Sequence, residues 1–183
     1  MERLTRASII AALADELRSK GSWCGETHLQ KATYLLQEAM DVQLGFDYIL
    51  YKRGPFSFDL RDELTAMRAD GLLRLRPHQQ PYGPSLDATD LSKALRCRLE
   101  HGLQQAISFI AQRLGARGAS ELERISTAYY VMHRDLPGAS ADDQAHRITE
   151  LKPHVALNQA HAALEWVKDT EQAARSERLT FTV

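Results

Sequence analysis

The feature that most constrains the fold is a glycine–proline pair, Gly54-Pro55, which separates two segments of different hydrophobic period. Before it, aromatic and branched residues alternate over Phe46–Tyr51, a pattern typical of a strand. After it, Ser57 stands where an N-cap belongs, ahead of apolar residues at helical spacing. Glycine allows backbone conformations closed to other residues, and proline fixes φ. We therefore expect the pair to end the strand and lead into a capped helix.

Apolar periodicity predicts further elements on both sides of this corner. Helices are predicted over Thr5–Ser19, Glu26–Met40, Ser57–Asp70, Asp90–Leu114, Ser120–Met132 and Ala141–Leu151, with a last one opened by Pro153. Asp90 is expected to cap the long helix, where Gly102 permits a kink, and Ser120 with Glu123 matches a capping box. Strands are predicted over Leu72–Arg76 and Ser85–Thr89, joined by a loop over Pro77–Pro84.

This order predicts a mostly α fold with a small β-sheet. Residues 1–90 match a winged-helix-like part, a helical bundle whose third helix is followed by a β-hairpin wing. Residues 91–183 form a helical bundle. Because neither half has a large core of its own, we expect the two to pack as one compact unit.

Composition excludes several classes of protein. The 23 Lys and Arg nearly balance the 24 Asp and Glu, so the net charge does not indicate a surface that binds polyanions. No apolar run approaches the ~18 residues that span a bilayer, and the start of the chain lacks a signal-peptide core. The two cysteines, Cys24 and Cys97, are too few for a disulfide framework. We expect a cytoplasmic protein that does not contact membranes.

Motifs for catalysis and cofactor binding are missing from the sequence. The seven histidines are scattered, with neither an H-E-x-x-H nor a C-x-x-C spacing to support a metal site. No G-x-S-x-G elbow and no glycine-rich phosphate loop occurs. The expectation is a protein without catalytic residues, metal or cofactor, and not an enzyme.

Two neighbouring stretches carry candidate binding residues. The corner residues Tyr51, Lys52, Arg53 and Phe56 include the aromatic and arginine types that are enriched in binding hot spots. Alternatively, they only shape the corner and pack its aromatic rings. On the second helix, Lys31, Tyr34 and Glu38 share one face, which can present a polar surface beside the corner. Alternatively, Lys31 and Glu38 only pair with each other in solvent, and Tyr34 is half-buried.

Nucleic acid is the alternative partner. Arg61 and Arg68 lie on the third helix, and Arg74 and Arg76 lie on the predicted wing. Four carboxylates share that helix and would repel phosphates unless they are turned away. A DNA-binding regulator of this kind would be a homodimer.

The sequence also resembles a known family. The helix motif L-Q-K-x-x-Y-L-x-Q at residues 29–37 and the corner Y-K-R-G-P-F-S at residues 51–57 are similar to those of Panacea and SocA-like antitoxin domains and of YwgA-like proteins. The segment LERISTAYY at residues 122–130 is similar to a later helix of the YwgA-like branch. The resemblance implies a compact helical domain with a wing. It also implies an antitoxin of a toxin–antitoxin pair, which neutralises a partner protein or presents it for proteolysis.

The partner would then be a toxin encoded nearby, bound by the second helix and the corner. The candidate partner-binding residues are Lys31, Tyr34, Gln37, Tyr51, Lys52, Arg53 and Phe56.

Overall fold

The computed structural model describes residues 1–79 and 83–181, with side chains through residue 177. The chain is 65% helical and has two small antiparallel sheets, which confirms the prediction of a mostly α fold with a little β-structure. The helices are α1 (Arg3–Ser19), α2 (Glu26–Ala39), α3 (Phe58–Ala69), α4 (Asp90–Arg96), α5 (His101–Leu114), α6 (Ala119–Tyr130), α7 (Ala141–Leu151) and α8 (Leu157–Phe181). The strands are β1 (Ile49–Tyr51), β2 (Gly54–Phe56), β3 (Leu73–Arg76) and β4 (Ser85–Ala88).

The core is built around α1, whose central residues from Ala7 to Ala14 are all buried. One apolar cluster continues from α1 to α8, and α1 packs against α2, α4 and α5. Helix α3 starts as predicted, because the Ser57 hydroxyl accepts a hydrogen bond from Leu60 N at 3.2 Å. It ends at Ala69, and Gly71, which follows the C-cap Asp70, has the left-handed φ of +74° that commonly terminates a helix.

The corner at Gly54-Pro55 differs from the prediction. The pair does not end the strand but forms β2, which folds back on β1 with Tyr51 opposite Gly54. Lys52 and Arg53 therefore form the turn of a two-stranded hairpin. The chain enters α3 only after this hairpin is complete.

The first strand is also shorter than predicted. Phe46 and Tyr48 face the core as the alternation indicates, but they lie outside β1. The Gln37 side chain bonds the Phe46 backbone instead, donating to its O at 2.9 Å and accepting from its N at 3.0 Å. A side-chain amide thus occupies the hydrogen-bonding groups that a neighbouring strand would use.

The long helix predicted from Asp90 is two helices. Thr89, not Asp90, is its N-cap, with Oγ1 accepting from Ser92 N. The chain leaves helical geometry over residues 97–100, before Gly102. Arg96 pairs with Glu16 at 2.7 Å, which ties the end of α4 to α1, and the turn lets α5 pack on α1 separately.

Two other helices begin differently from the prediction: α6 starts one residue before Ser120 without the predicted capping box, and α8 starts after Pro153. Helix α6 begins at Ala119, and its N-cap is Gly118, which has no side chain to cap the helix. The predicted capping-box acid, Glu123, is buried and pairs with Lys152 instead. Helix α8 begins at Leu157 rather than at Pro153, because residues 153–156 form a turn.

The second hairpin matches its prediction. Strands β3 and β4 pair antiparallel, with Leu73 opposite Ala88 and Arg76 opposite Ser85. The predicted connecting loop includes residues 80–82, which lie outside the described residues. In the described part of the chain, no helix combines the length and the apolar character needed to cross a bilayer.

Candidate interaction site at the first hairpin

Helix α2 holds the first hairpin in place through two buried polar side chains. The Gln30 amide bonds the backbone of Ser57 in both directions, at 2.9 Å each. Lys31 Nζ donates to Pro55 O at 2.6 Å. Both side chains are almost fully buried, so these bonds are shielded from competing water. They fix β2 and the start of α3 relative to α2.

A second buried lysine also fixes the turn of the hairpin. Lys152, at the end of α7, donates from Nζ to Tyr51 O at 3.0 Å and also to Lys52 O. Its ammonium lies 3.3 Å from the Glu123 carboxylate, which balances the buried charge. Segments about 100 residues apart in sequence therefore meet at this hairpin.

Between α2 and the hairpin lies a cavity of about 310 Å³, which we call the hairpin pocket. Helix α2 lines it with Glu26, Thr27, Gln30 and Lys31. The hairpin lines it with Tyr51, Lys52, Arg53 and Phe56. Five of the seven residues predicted to bind a partner thus meet around one cavity.

The charge of the hairpin pocket is positive. Lys31, Lys52 and Arg53 face a single lining carboxylate, that of the exposed Glu26. Within the described part of the chain, the side chains of Lys52 and Arg53 form no ion pair. Burial lowers the pKa of Lys31 to about 8; Glu123 opposes this shift, while Lys152 and Arg53 add to it. The cations therefore repel one another, and an anion entering the pocket would relieve that repulsion.

Three aromatic rings continue the wall of the pocket onto the surface, and we call them the aromatic rim. Tyr51, Phe56 and Phe58 pack with centroids 5.1–5.8 Å apart. Tyr51 and Phe58 are 45% and 41% exposed, so the three rings form a contiguous apolar patch at the surface. Arg61 lies over the Phe58 ring at 5.0 Å. Exposed aromatic rings beside arginine are typical of protein-binding surfaces.

The titration of Lys31 gives a testable pH dependence. Its pKa falls from 10.5 to about 8 on folding, so between these values the unfolded chain binds more protons and stability rises with pH. In the native chain, this titration should raise the free energy of unfolding by about 1 kcal/mol between about pH 8 and 9, and we expect Lys31→Met to remove that rise. Chemical denaturation of both proteins across this range measures it.

Burial raises the pKa of Cys24 from 9.0 to about 12, so the free energy of unfolding that Cys24 contributes falls as the pH rises above 9. This contribution is the same in both proteins and cancels in their difference. Parallel pH profiles for the two proteins would contradict this account of Lys31.

Two predicted partner-binding residues lie elsewhere. Tyr34 is fully buried, with its ring packed 4.9 Å from that of Tyr48 and 5.8 Å from that of Tyr129. Gln37 holds the loop at Phe46. Lys31 is also buried, so α2 does not present the exposed Lys31–Tyr34 face that the sequence predicted. The face points inward because Tyr34 fills the core and Lys31 bonds the hairpin.

The arginines predicted to bind DNA are partly engaged within the chain. Arg61 pairs with Asp62 at 3.0 Å, and Arg76 pairs with Asp87 at 2.7 Å. A cavity of about 320 Å³ beside the second hairpin is lined by four cationic side chains and three carboxylates. Arg18 also pairs with Asp87 there, at 3.3 Å. The positive charge of this cavity exceeds its negative charge by one, whereas in the hairpin pocket three cations line the cavity with one carboxylate.

Sequence reasoning missed Gln30, Glu123 and Lys152, which position the hairpin. Gln30 and Glu123 lie within motifs that the sequence analysis names, but their role at the hairpin is hidden because each acts on a segment distant in sequence. Among the residues that the structure describes, no group of three His, Cys, Asp or Glu side chains is placed to hold a metal ion. Comparison with protein-family models and with curated proteins found no match to this chain.

Proposed function

We propose that this chain is a non-enzymatic protein-interaction module that binds a partner protein through the hairpin pocket and the aromatic rim. The observation that carries the proposal is that Lys52 and Arg53, cations without an ion pair among the described residues, lie beside exposed aromatic rings on one hairpin, which buried hydrogen bonds hold in place. A surface fixed before binding loses little entropy on association, which favours recognition. The resemblance to antitoxin domains supports a role in neutralising the partner or presenting it for proteolysis.

Affinity capture tests this proposal. The tagged chain would be used to capture partners from cells that produce it and from co-expression with the products of adjacent genes. Tyr51 and Arg53 are exposed, so Tyr51→Ala and Arg53→Gln should leave the fold intact. Truncating a binding hot spot costs about 2 kcal/mol or more, so we expect each variant to weaken binding of the captured partner by roughly 30-fold.

Arg98→Gln is the matched control, because Arg98 is exposed and lies between α4 and α5, away from the hairpin pocket. It should capture the partner as well as the native chain does. Failure to capture any partner, or equal capture by all variants, would contradict the proposal.

A winged-helix DNA-binding regulator is the second candidate, favoured by the position of the β3–β4 hairpin after α3. Arg68 and Arg74 would then contact phosphates, since Arg61 and Arg76 have acidic partners within the chain. Duplex binding would weaken by about 0.9 log units per phosphate contact for each log unit of salt. No duplex binding at low salt would exclude it.

A further inference from the structure

We infer that the hairpin pocket accepts an acidic side chain of the partner, carried next to an apolar side chain that packs on the aromatic rim. This inference rests on the proposed function and adds the chemistry of the recognised segment. The carboxylate of the partner would lie between Lys52 and Arg53, near the buried Lys31 that also lines the pocket. The apolar group would lie against Tyr51 and Phe56.

Charge complementarity identifies the acidic group. Three cations line the pocket with one lining carboxylate, that of Glu26, and a second carboxylate, that of Glu123, acts on Lys31 from α6. Glu123 lies 3.3 Å from Lys152 Nζ and 3.6 Å from His154 Nε2, so its main partner is Lys152. Glu26 is exposed at the first turn of α2, where the helix dipole accounts for it. An acidic side chain would thus meet Lys52 and Arg53, whose side chains form no ion pair within the described part of the chain.

The aromatic wall and the size of the pocket identify the rest of the segment. About 310 Å³ is at the lower end of the range for small-ligand pockets, so it suits one or two side chains rather than a whole helix. The rings of Tyr51 and Phe56, 5.8 Å apart, form an apolar wall on the hairpin side. Nucleic-acid phosphates would gain from the cations but would leave this wall partly unused. A short acidic and apolar peptide segment uses both.

A displayed peptide library tests the inference. Random 12-residue peptides on phage would be selected against the native full-length chain, with Arg53→Gln used to remove peptides that bind elsewhere. We expect the selected peptides to share an Asp or Glu within two positions of an aromatic or aliphatic residue. Synthetic versions should bind at least tenfold more weakly when that acid is replaced by Asn or Gln, or when Lys52→Gln replaces the native chain. Arg98→Gln should bind them as the native chain does.

Selected peptides without an acid, or no selected peptides at all, would overturn the inference. The same is true if the acid-to-amide change has no effect. If a partner is still captured in an Arg53-dependent way, the proposed interaction surface stands and only its acidic chemistry is wrong. If acidic peptides bind but no native partner is captured, the pocket chemistry stands and the proposed function fails.

Discussion

Gly54→Ala is expected to destabilise the chain by about 3 kcal/mol or more, for two separate reasons. Gly54 has φ +83°, a left-handed conformation that costs a residue with a Cβ about 1–2 kcal/mol. An added Cβ would also lie 3.0 Å from Ser126 Oγ and from Thr127 Oγ1, and 3.3 Å from Glu123 O. Both hydroxyls are on buried α6 residues, so relief requires the hairpin to move away from α6.

Gly71→Ala separates the two reasons. Gly71 has a similar φ of +74°, but an added Cβ would meet nothing within 4 Å. Its cost should be limited to the backbone term of about 1–2 kcal/mol. Urea unfolding of both variants measures the difference, which we attribute to the contact of the hairpin with α6. Equal losses for the two glycines would show that the hairpin does not pack tightly on α6.

Lys152→Met is expected to cost about 3–5 kcal/mol, because it leaves the buried Glu123 carboxylate without its main counter-ion. The two side chains are only 6% and 11% exposed, so water cannot replace the lost partner. The carbonyls of Tyr51 and Lys52 lose their donor as well. The same change should loosen the turn, and partner capture should weaken even in protein that remains folded.

A double-mutant cycle with Glu123→Gln isolates the charge pair. With the carboxylate removed, the remaining cost of Lys152→Met should fall by roughly 1–3 kcal/mol, which is the coupling expected of residues in direct contact. The free energies come from chemical denaturation of the native chain, both single variants and the double variant. Additive single costs would show that Lys152 does not stabilise the hairpin through Glu123.

The helices could be predicted because their apolar positions repeat at a fixed spacing, as at Ile9, Leu13 and Leu17 in α1. The first hairpin could not be predicted as easily. Its turn is Lys52-Arg53, two charged residues, rather than the Asn-Gly or Asp-Gly pair that marks most two-residue turns. The break between α4 and α5 was hidden for a similar reason, since Leu91, Leu95, Leu99 and Leu103 keep helical spacing across it.

The candidate site was predicted in part. The hairpin residues Tyr51, Lys52, Arg53 and Phe56 stand out by type, and the structure places all four at one cavity. Exposure was mispredicted on α2, because a lysine is almost always expected at the surface whereas Lys31 is buried at a backbone carbonyl. The contribution of Lys152 depends on the packing of α7 beside the hairpin, which no local sequence pattern encodes.

The most direct test of the central claim is hydrogen–deuterium exchange of the chain alone and in complex with its captured partner. The account predicts slower exchange on binding in residues 49–58, which cover β1, β2 and the aromatic rim, and in the first turns of α2. Exchange in α8 should not change. Slower exchange confined to the β3–β4 hairpin or to α8, with residues 49–58 unaffected, would contradict the account.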